Sequence, residues 1–206
     1  MRFFYMPDWF SSFFPSLLWK KKTDQKIIYL TFDDGPIPEI TEWILDILKE
    51  NNAQATFFCV GDNIRKHPTI FDRVIKEGHQ VGNHTFNHLN GWQETTEKYM
   101  ENVALCQTMM KENATHFFRP PYGKLSKKKI KALEQENYQI VMWHVLTYDF
   151  DKTLQPEICL QKAIQNTKQG SIVVFHDNTK AVQNLKYVLP KYISYFKEKG
   201  YQFEKL

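Results

Sequence analysis

The alternation of short apolar runs with longer amphipathic stretches most constrains what this 206-residue chain can fold into. Runs at 26–33, 55–60, 79–84, 115–119, 138–147, 171–176 and 201–206 have strand lengths and strand composition. Between them, 38–51, 63–77, 94–113, 126–136, 156–169 and 180–199 are predicted helices, several with apolar residues near the helical period, as in Trp43, Ile44, Ile47 and Leu48. Thr41, Ser126 and Thr179 stand near helix starts, and Gly78, Gly170 and Gly200 follow helix ends. Strands that alternate with helices read as successive right-handed crossovers, which predicts an α/β fold with a parallel sheet and helices outside it. A barrel and an open sheet both satisfy this pattern, and the length suits one domain with a substantial core.

In such folds reactive residues gather where the strands end, because the loops there converge on one face. The first run ends in Thr31-Phe32-Asp33-Asp34-Gly35-Pro36. Adjacent carboxylates repel, and a cation or the role of a base relieves that repulsion; a plain polar turn is the competing reading. His84 and His88 follow the third run at a separation that one turn or tight loop can aim at a single ion. With one carboxylate they form a two-histidine, one-aspartate set that leaves positions open for water and substrate. Arg119 precedes Pro120 and Pro121, which stiffen its backbone, so a fixed guanidinium there can orient a carboxylate and hold Asp33 as a base. His176 ends the run Ile172-Val173-Val174-Phe175, and either Asp177 or Asp149 can set its protonation as a general acid.

The net charge of +4 is mild, and the clusters Lys20-Lys21-Lys22 and Lys127-Lys128-Lys129 lack interleaved aromatic residues, so they read as solvated faces and exclude nucleic acid as a partner. Cys59, Cys106 and Cys159 form no close pair, which argues against a disulfide framework or a cysteine zinc site. Residues 1–25 are aromatic, but Pro7, Asp8, Ser11, Ser12 and Pro15 interrupt any spanning helix, and lysines follow where a signal peptide would carry small residues. The expectation is a segment packed on the domain of 26–206, with peripheral membrane contact through 1–22 the less favoured reading and a cytoplasmic location. Oligomeric state has no sequence signature here.

Five motifs then stand in order: Thr31 to Pro36, His84 to His88, Arg119 to Gly123, the Asp149 segment, and Val174-Phe175-His176. On these motifs, the chain from about residue 26 to its end resembles the polysaccharide deacetylases of the NodB-homology type, carbohydrate esterase family four. The resemblance implies a distorted parallel (β/α) barrel of about seven strands, which decides for a barrel over an open sheet. It implies one divalent metal ion on Asp34, His84 and His88, usually zinc, with cobalt, nickel or manganese as alternatives. It further implies Asp33 as the base, Arg119 as the residue that orients it, and His176 as the acid with Asp149 as its partner. The backbone amide of Tyr122 would hold the oxyanion.

Pro120, Tyr122, Trp143, Phe150 and Val174 are the expected substrate-binding residues, with Trp92 a further stacking candidate. The family often carries Trp where this chain has Phe150, and Leu where it has Val174; both changes keep an apolar groove wall. His144, Leu146 and Tyr148 make the end of the fifth run less acidic than in many relatives, which bears on substrate preference. The implied activity is hydrolysis of the N-acetyl group of an N-acetylated sugar or polysaccharide. The rivals are an amidase acting on a non-sugar N-acyl or cyclic amide, and a binding protein that keeps the groove without turnover.

Overall fold

In the computed structural model, which describes residues 2–113 and 115–206, the first apolar run becomes β1 (Ile27–Asp33), central in a curled parallel sheet. The other strands are β2 (Ala55–Cys59), β3 (Gln80–Asn83), β4 (Phe117–Phe118), β5 (Gln139–Ile140), β6 (Val145–Leu146), β7 (Ile172–His176) and β8 (Gln202–Phe203). They lie in the order β5-β4-β3-β2-β1-β7-β6, and β8 pairs with the start of β1 at Ile27 and Ile28. Their ladders are parallel. The helices are α1 (Asp8–Ser11), α2 (Ile40–Glu50), α3 (Gly61–Lys66), α4 (Pro68–Lys76), α5 (Thr96–Met110), α6 (Lys127–Gln135), α7 (Pro156–Asn166) and α8 (Val182–Glu198). This is the distorted (β/α) barrel.

The period of two along β1 decides what goes where. Ile28, Leu30 and Phe32 join the large core, where Phe32 stacks between Phe57 at 5.0 Å and Phe175 at 6.0 Å. That core extends to the buried faces of α2 (Ile44, Leu45, Leu48) and α8 (Leu185, Leu189, Tyr192). Tyr29 instead packs with Phe58, Val141 and Ile172, while Thr31 and Asp33 both accept hydrogen bonds from Arg119. Alternation therefore carries Asp33 to the polar end of the opposite face, away from the phenylalanine core.

Two expected elements divide. The run 138–147 is not one strand but β5 and β6, and the N-terminal segment pairs along it, Leu18 beside Val141 between the two and Tyr5 beside Val145 of β6. The expected helix at 63–77 is two helices, because Pro68 drives His67 out of the helical region (φ −130°, ψ 55°). Residues 2–19 lie on the domain: Arg2 pairs with Asp151 at 2.7 Å, Phe4 meets Tyr148 edge-on at 5.1 Å, and Trp19 is buried. Two smaller expectations also change. Lys129 is buried rather than solvated, donating to the Glu94 carbonyl at 2.7 Å, and Asn178, not Thr179, caps the approach to α8. Cys59, Cys106 and Cys159 are free and buried, and no helix among the described residues is long and apolar enough to cross a membrane.

Candidate active site

Asp33 and His176 end adjacent strands in direct register, so β1 and β7 deliver them side by side to one rim. Behind Asp33 lies Arg119, fully buried at the end of β4. Its Nη1 donates to Asp33 Oδ1 and to Thr31 Oγ1, each at 2.7 Å; Nε donates to the Val141 carbonyl at 3.2 Å and Nη2 to that of Met142 at 2.9 Å. The Phe58 ring lies under the guanidinium, 4.1 Å from its carbon. A buried guanidinium needs this many acceptors, since a charge removed from water must be paired and hydrogen-bonded.

His176 is backed in the same manner by Asp149, which is also fully buried. His176 Nδ1 lies 2.8 Å from Asp149 Oδ1, and the His176 backbone N–H donates to Oδ2 at 2.7 Å. Burial alone would lower the imidazole pKa, but the charge and hydrogen bond of Asp149, with Asp34 and Asp33 nearby, raise it to about 9. The partner left open by the sequence is therefore Asp149. Asp177 turns away, accepting from the Gly35 N–H and the Thr41 hydroxyl at 2.7 Å each, and burial pushes its carboxyl up to about 8 despite those bonds. The fit leaves no room for a side chain at residue 35: a Cβ on Gly35 would lie 1.8 Å from Asp177 Oδ2.

Asp34 follows with φ 92°, and Thr85 and His88 also take positive φ, so a tight loop rather than a helical turn presents the imidazoles. His84 Nδ1 meets the Arg119 carbonyl at 2.8 Å, and since a carbonyl only accepts, the proton sits on Nδ1 and Nε2 is free to ligate. His84 Nε2 lies 3.5 Å and His88 Nε2 3.1 Å from Asp34 Oδ1, a buried oxygen with no hydrogen-bond partner among the described residues. One ligand atom from each residue falls within 4.8 Å of the others. An orphaned carboxylate oxygen facing two imidazole nitrogens fits a divalent cation, and the donor set is that of a metal centre with open positions.

Asp33, Asp34, His84, His88 and His176 line a cavity of about 690 Å³, together with Pro120, Tyr122, Trp143, Phe150 and Val174. Tyr122 takes φ 60° on a short 3₁₀ turn, its ring 4.6 Å from that of His88 and its hydroxyl 3.1 Å from His88 Nδ1. Trp143 packs over Gly123, where a Cβ would come within 2.6 Å of the indole. Phe150 stands edge-on to His176 at 4.8 Å. Trp92 and His144 fall outside the cavity lining. His144 pairs with Ser171 Oγ at 2.8 Å and is buried, which lowers its pKa to about 4. It does not stand at the rim, because its backbone N–H bonds to Ile172 at the start of β7.

Two amides escaped the sequence reading. Asn63 donates to the Asp34 carbonyl at 2.7 Å, and Asn178 donates to Asp34 Oδ2, leaving Oδ1 for the imidazole side. Asparagine after a strand looks like ordinary turn chemistry; the one available signal for Asn178 was its place directly after His176-Asp177.

The family model for polysaccharide deacetylase matches residues 20–141. A peptidoglycan-N-acetylglucosamine deacetylase of Bacillus cereus is 35% identical over 90% of this chain and 88% of its own length. A chitooligosaccharide deacetylase of Azorhizobium caulinodans is 32% identical over 75% of each chain. The crystal structure of the Bc1960 peptidoglycan N-acetylglucosamine deacetylase superposes with a TM-score of 0.88 at 32% identity, covering 95% of this chain and 94% of that one. Other relatives are longer, and this chain spans 65% of one and 38% of another. With its barrel, its rim carrying Asp33, Asp34, His84, His88 and His176, and this match, the chain belongs to the polysaccharide deacetylase family.

Proposed function

We propose that this protein hydrolyses the N-acetyl group of an N-acetylated glycan, releasing acetate and a free amino sugar. The observation that carries the reading is the meeting of Asp33, His176 and the Asp34-His84-His88 cluster in one cavity, with Asp33 and His176 each held by a buried partner. Relatives named for peptidoglycan and chitooligosaccharide deacetylation support the substrate class.

A divalent ion held by Asp34, His84 and His88, which we propose is zinc on the strength of the two imidazoles and one carboxylate, supplies Lewis acidity toward the acetamide carbonyl and water. Asp33, kept in place by Arg119, accepts a proton from the attacking water as its oxygen bonds to the carbonyl carbon. The Tyr122 backbone N–H donates to the oxyanion that develops. His176, held through Nδ1 by Asp149, delivers a proton from Nε2 to the amide nitrogen as the C–N bond breaks. Pro120, Trp143, Phe150 and Val174 form the walls that seat the sugar and its acetyl methyl group.

The test is acetate release by metal-loaded protein from a panel of N-acetylated oligosaccharides beside small non-sugar amides, with bound metal measured on the same sample. Release from the sugars supports the reading. Cleavage confined to the small amides sinks it in favour of an amidase, and glycan binding without release leaves a binding protein.

A further inference from the structure

The N-terminal segment does more than cover the domain. Residues 2–19 precede the part of the chain that the family model matches, which begins at residue 20. They run along the seam between β5 and β6, the two ends of the sheet order. The Met142 N–H donates to the Leu18 carbonyl at 2.7 Å and the Met6 N–H to the His144 carbonyl at 2.8 Å, so the segment bonds the backbone on both sides of Trp143. The Leu146 N–H donates to the Phe4 carbonyl at 3.0 Å, which makes residues 4–6 an antiparallel neighbour of β6 on the edge that β7 leaves free.

This short strand then grips the loop that follows β6. Arg2 Nε donates to Asp151 Oδ2 at 2.7 Å and Nη2 to Thr153 Oγ1 at 2.6 Å, while the Phe3 N–H donates to the Tyr148 hydroxyl at 3.1 Å. From Phe4 a row of rings runs to the reaction centre. Phe4 stands edge-on to Tyr148 at 5.1 Å, Tyr148 is tilted against Phe150 at 5.6 Å, and Phe150 stands edge-on to His176 at 4.8 Å. Tyr148 takes φ 58°, a left-handed backbone that a tyrosine keeps only where its surroundings hold it. Asp149 comes next in the chain, so whatever fixes Tyr148 bears on the carboxylate behind His176. Asn184 of α8 also holds this loop, donating to the Asp149 and Asp151 carbonyls at 3.1 and 3.2 Å, but it meets backbone there and leaves the side chains of Tyr148 and Asp151 to the N-terminal strand.

We propose that residues 2–6 are a strap that positions the acid side of the site, with Arg2, Phe4 and Tyr148 as positioning residues that hold Asp149 and Phe150 against His176. Its effect on turnover rests on the deacetylase reading; its effect on the imidazole does not. Of the charged groups that face His176, Asp149 lies on the strapped loop, whereas Asp33 and Asp34 stand at the end of β1 and are held by Arg119, Asn63 and Asn178. Loosening the strap therefore weakens the Asp149 contact and leaves the metal side in place.

The test is R2Q/F4A beside the wild type, both metal-loaded and assayed on N-acetylated chito-oligosaccharides. The variant should lose about ten- to a hundredfold in kcat, with bound metal and KM little changed. The alkaline limb of its kcat profile should move to lower pH, and so should the titration of the His176 imidazole followed by NMR, its signal identified by its loss in His176→Ala. Phe4→Tyr, which keeps the ring, should behave as the wild type. A strap that serves stability alone would lower the melting temperature and leave kcat per folded molecule, the alkaline limb and the imidazole titration where they were; that result overturns the proposal. Should R2Q/F4A fail to fold, R2Q and Y148F, which remove hydrogen bonds and keep the row of rings, should show the same shifts at smaller size, and no shift in either overturns it. Acetate release from no glycan by the wild type sinks the deacetylase reading alone. The His176 titration then decides the strap, upheld by a lower imidazole pKa in R2Q/F4A and overturned by an unchanged one.

Discussion

Asp33 and His176 face each other in register on β1 and β7, yet the groups behind them have opposite sign. Asp33 is backed by a buried guanidinium, His176 by a buried carboxylate. The fold thus uses one device twice, a fully buried ion behind a largely buried partner at the rim, to favour an anion on one side and a cation on the other. The two sides differ in what pH can do to them. Arg119 keeps its charge throughout the working range even though burial lowers its pKa, so the base side is fixed; the acid side titrates, because the imidazole raised to about 9 loses its proton in mild alkali. The comparison teaches that the proposed base depends on an ion that never switches and the proposed acid on one whose partner does.

The sharpest way to break this pairing is to remove the two rim groups. Asp33→Asn and His176→Ala should each lower turnover by roughly a hundredfold to ten-thousandfold, with bound metal unchanged in Asp33→Asn. Substantial turnover in either metal-replete variant would remove that side from the comparison. The backing ions should then differ in structural cost. Arg119→Met strips the partner from a nearly buried Asp33 and leaves Thr31 and two carbonyls without their donor, so thermal or denaturant unfolding should show a loss of about 3–5 kcal/mol. Asp149→Asn keeps a carbonyl oxygen for the His176 N–H and should cost about 1–3 kcal/mol; equal losses would mean that the number of bonds each buried ion makes does not set its cost.

A smaller effect belongs to the metal side. Asn178→Ala frees Asp34 Oδ2 and should weaken metal binding by about ten- to a hundredfold in a chelator competition, whereas an unchanged affinity would show that Asn63 and the backbone alone position Asp34. The smallest effect sharpens the acid side. His176 has a folded pKa raised from 6.5 to about 9, so its pairing with Asp149 contributes stability that is fully present below about 6.5 and is lost as pH rises through about 9. Wild-type stability should decline across that window and Asp149→Asn should not. A parallel decline in both would assign the titration to another group.

The rim was legible in the sequence because each reactive residue directly follows an apolar run, and parallel crossovers bring all such ends to one face. The strand pattern was legible for the same reason, except where neighbours overrode local signals. The apolar stretch at 138–147 reads as one strand, but part of its backbone pairs with Leu18 and Tyr5 from the far end of the chain, and no local pattern announces a partner so distant. The helix period runs on both sides of Pro68, which hides the break that its restriction on His67 makes between α3 and α4. Trp92, a stacking candidate by its residue type, lies outside the cavity lining with its ring centre 5.1 Å from Lys124 Nζ, a placement that no local pattern announces.

By itself the sequence determined the α/β alternation, the side chains able to act as acid, base and metal ligands, and, through ordered motifs, the family. These are local properties: periodicity sets element type, and residue chemistry sets what a side chain can do. Only the tertiary structure decided that Asp149 and not Asp177 faces His176, that Asn178 fixes Asp34, and that Phe4 and Tyr148 stand behind Phe150. Those outcomes depend on distances between residues far apart in the chain, which packing of the barrel sets and spacing along the sequence does not.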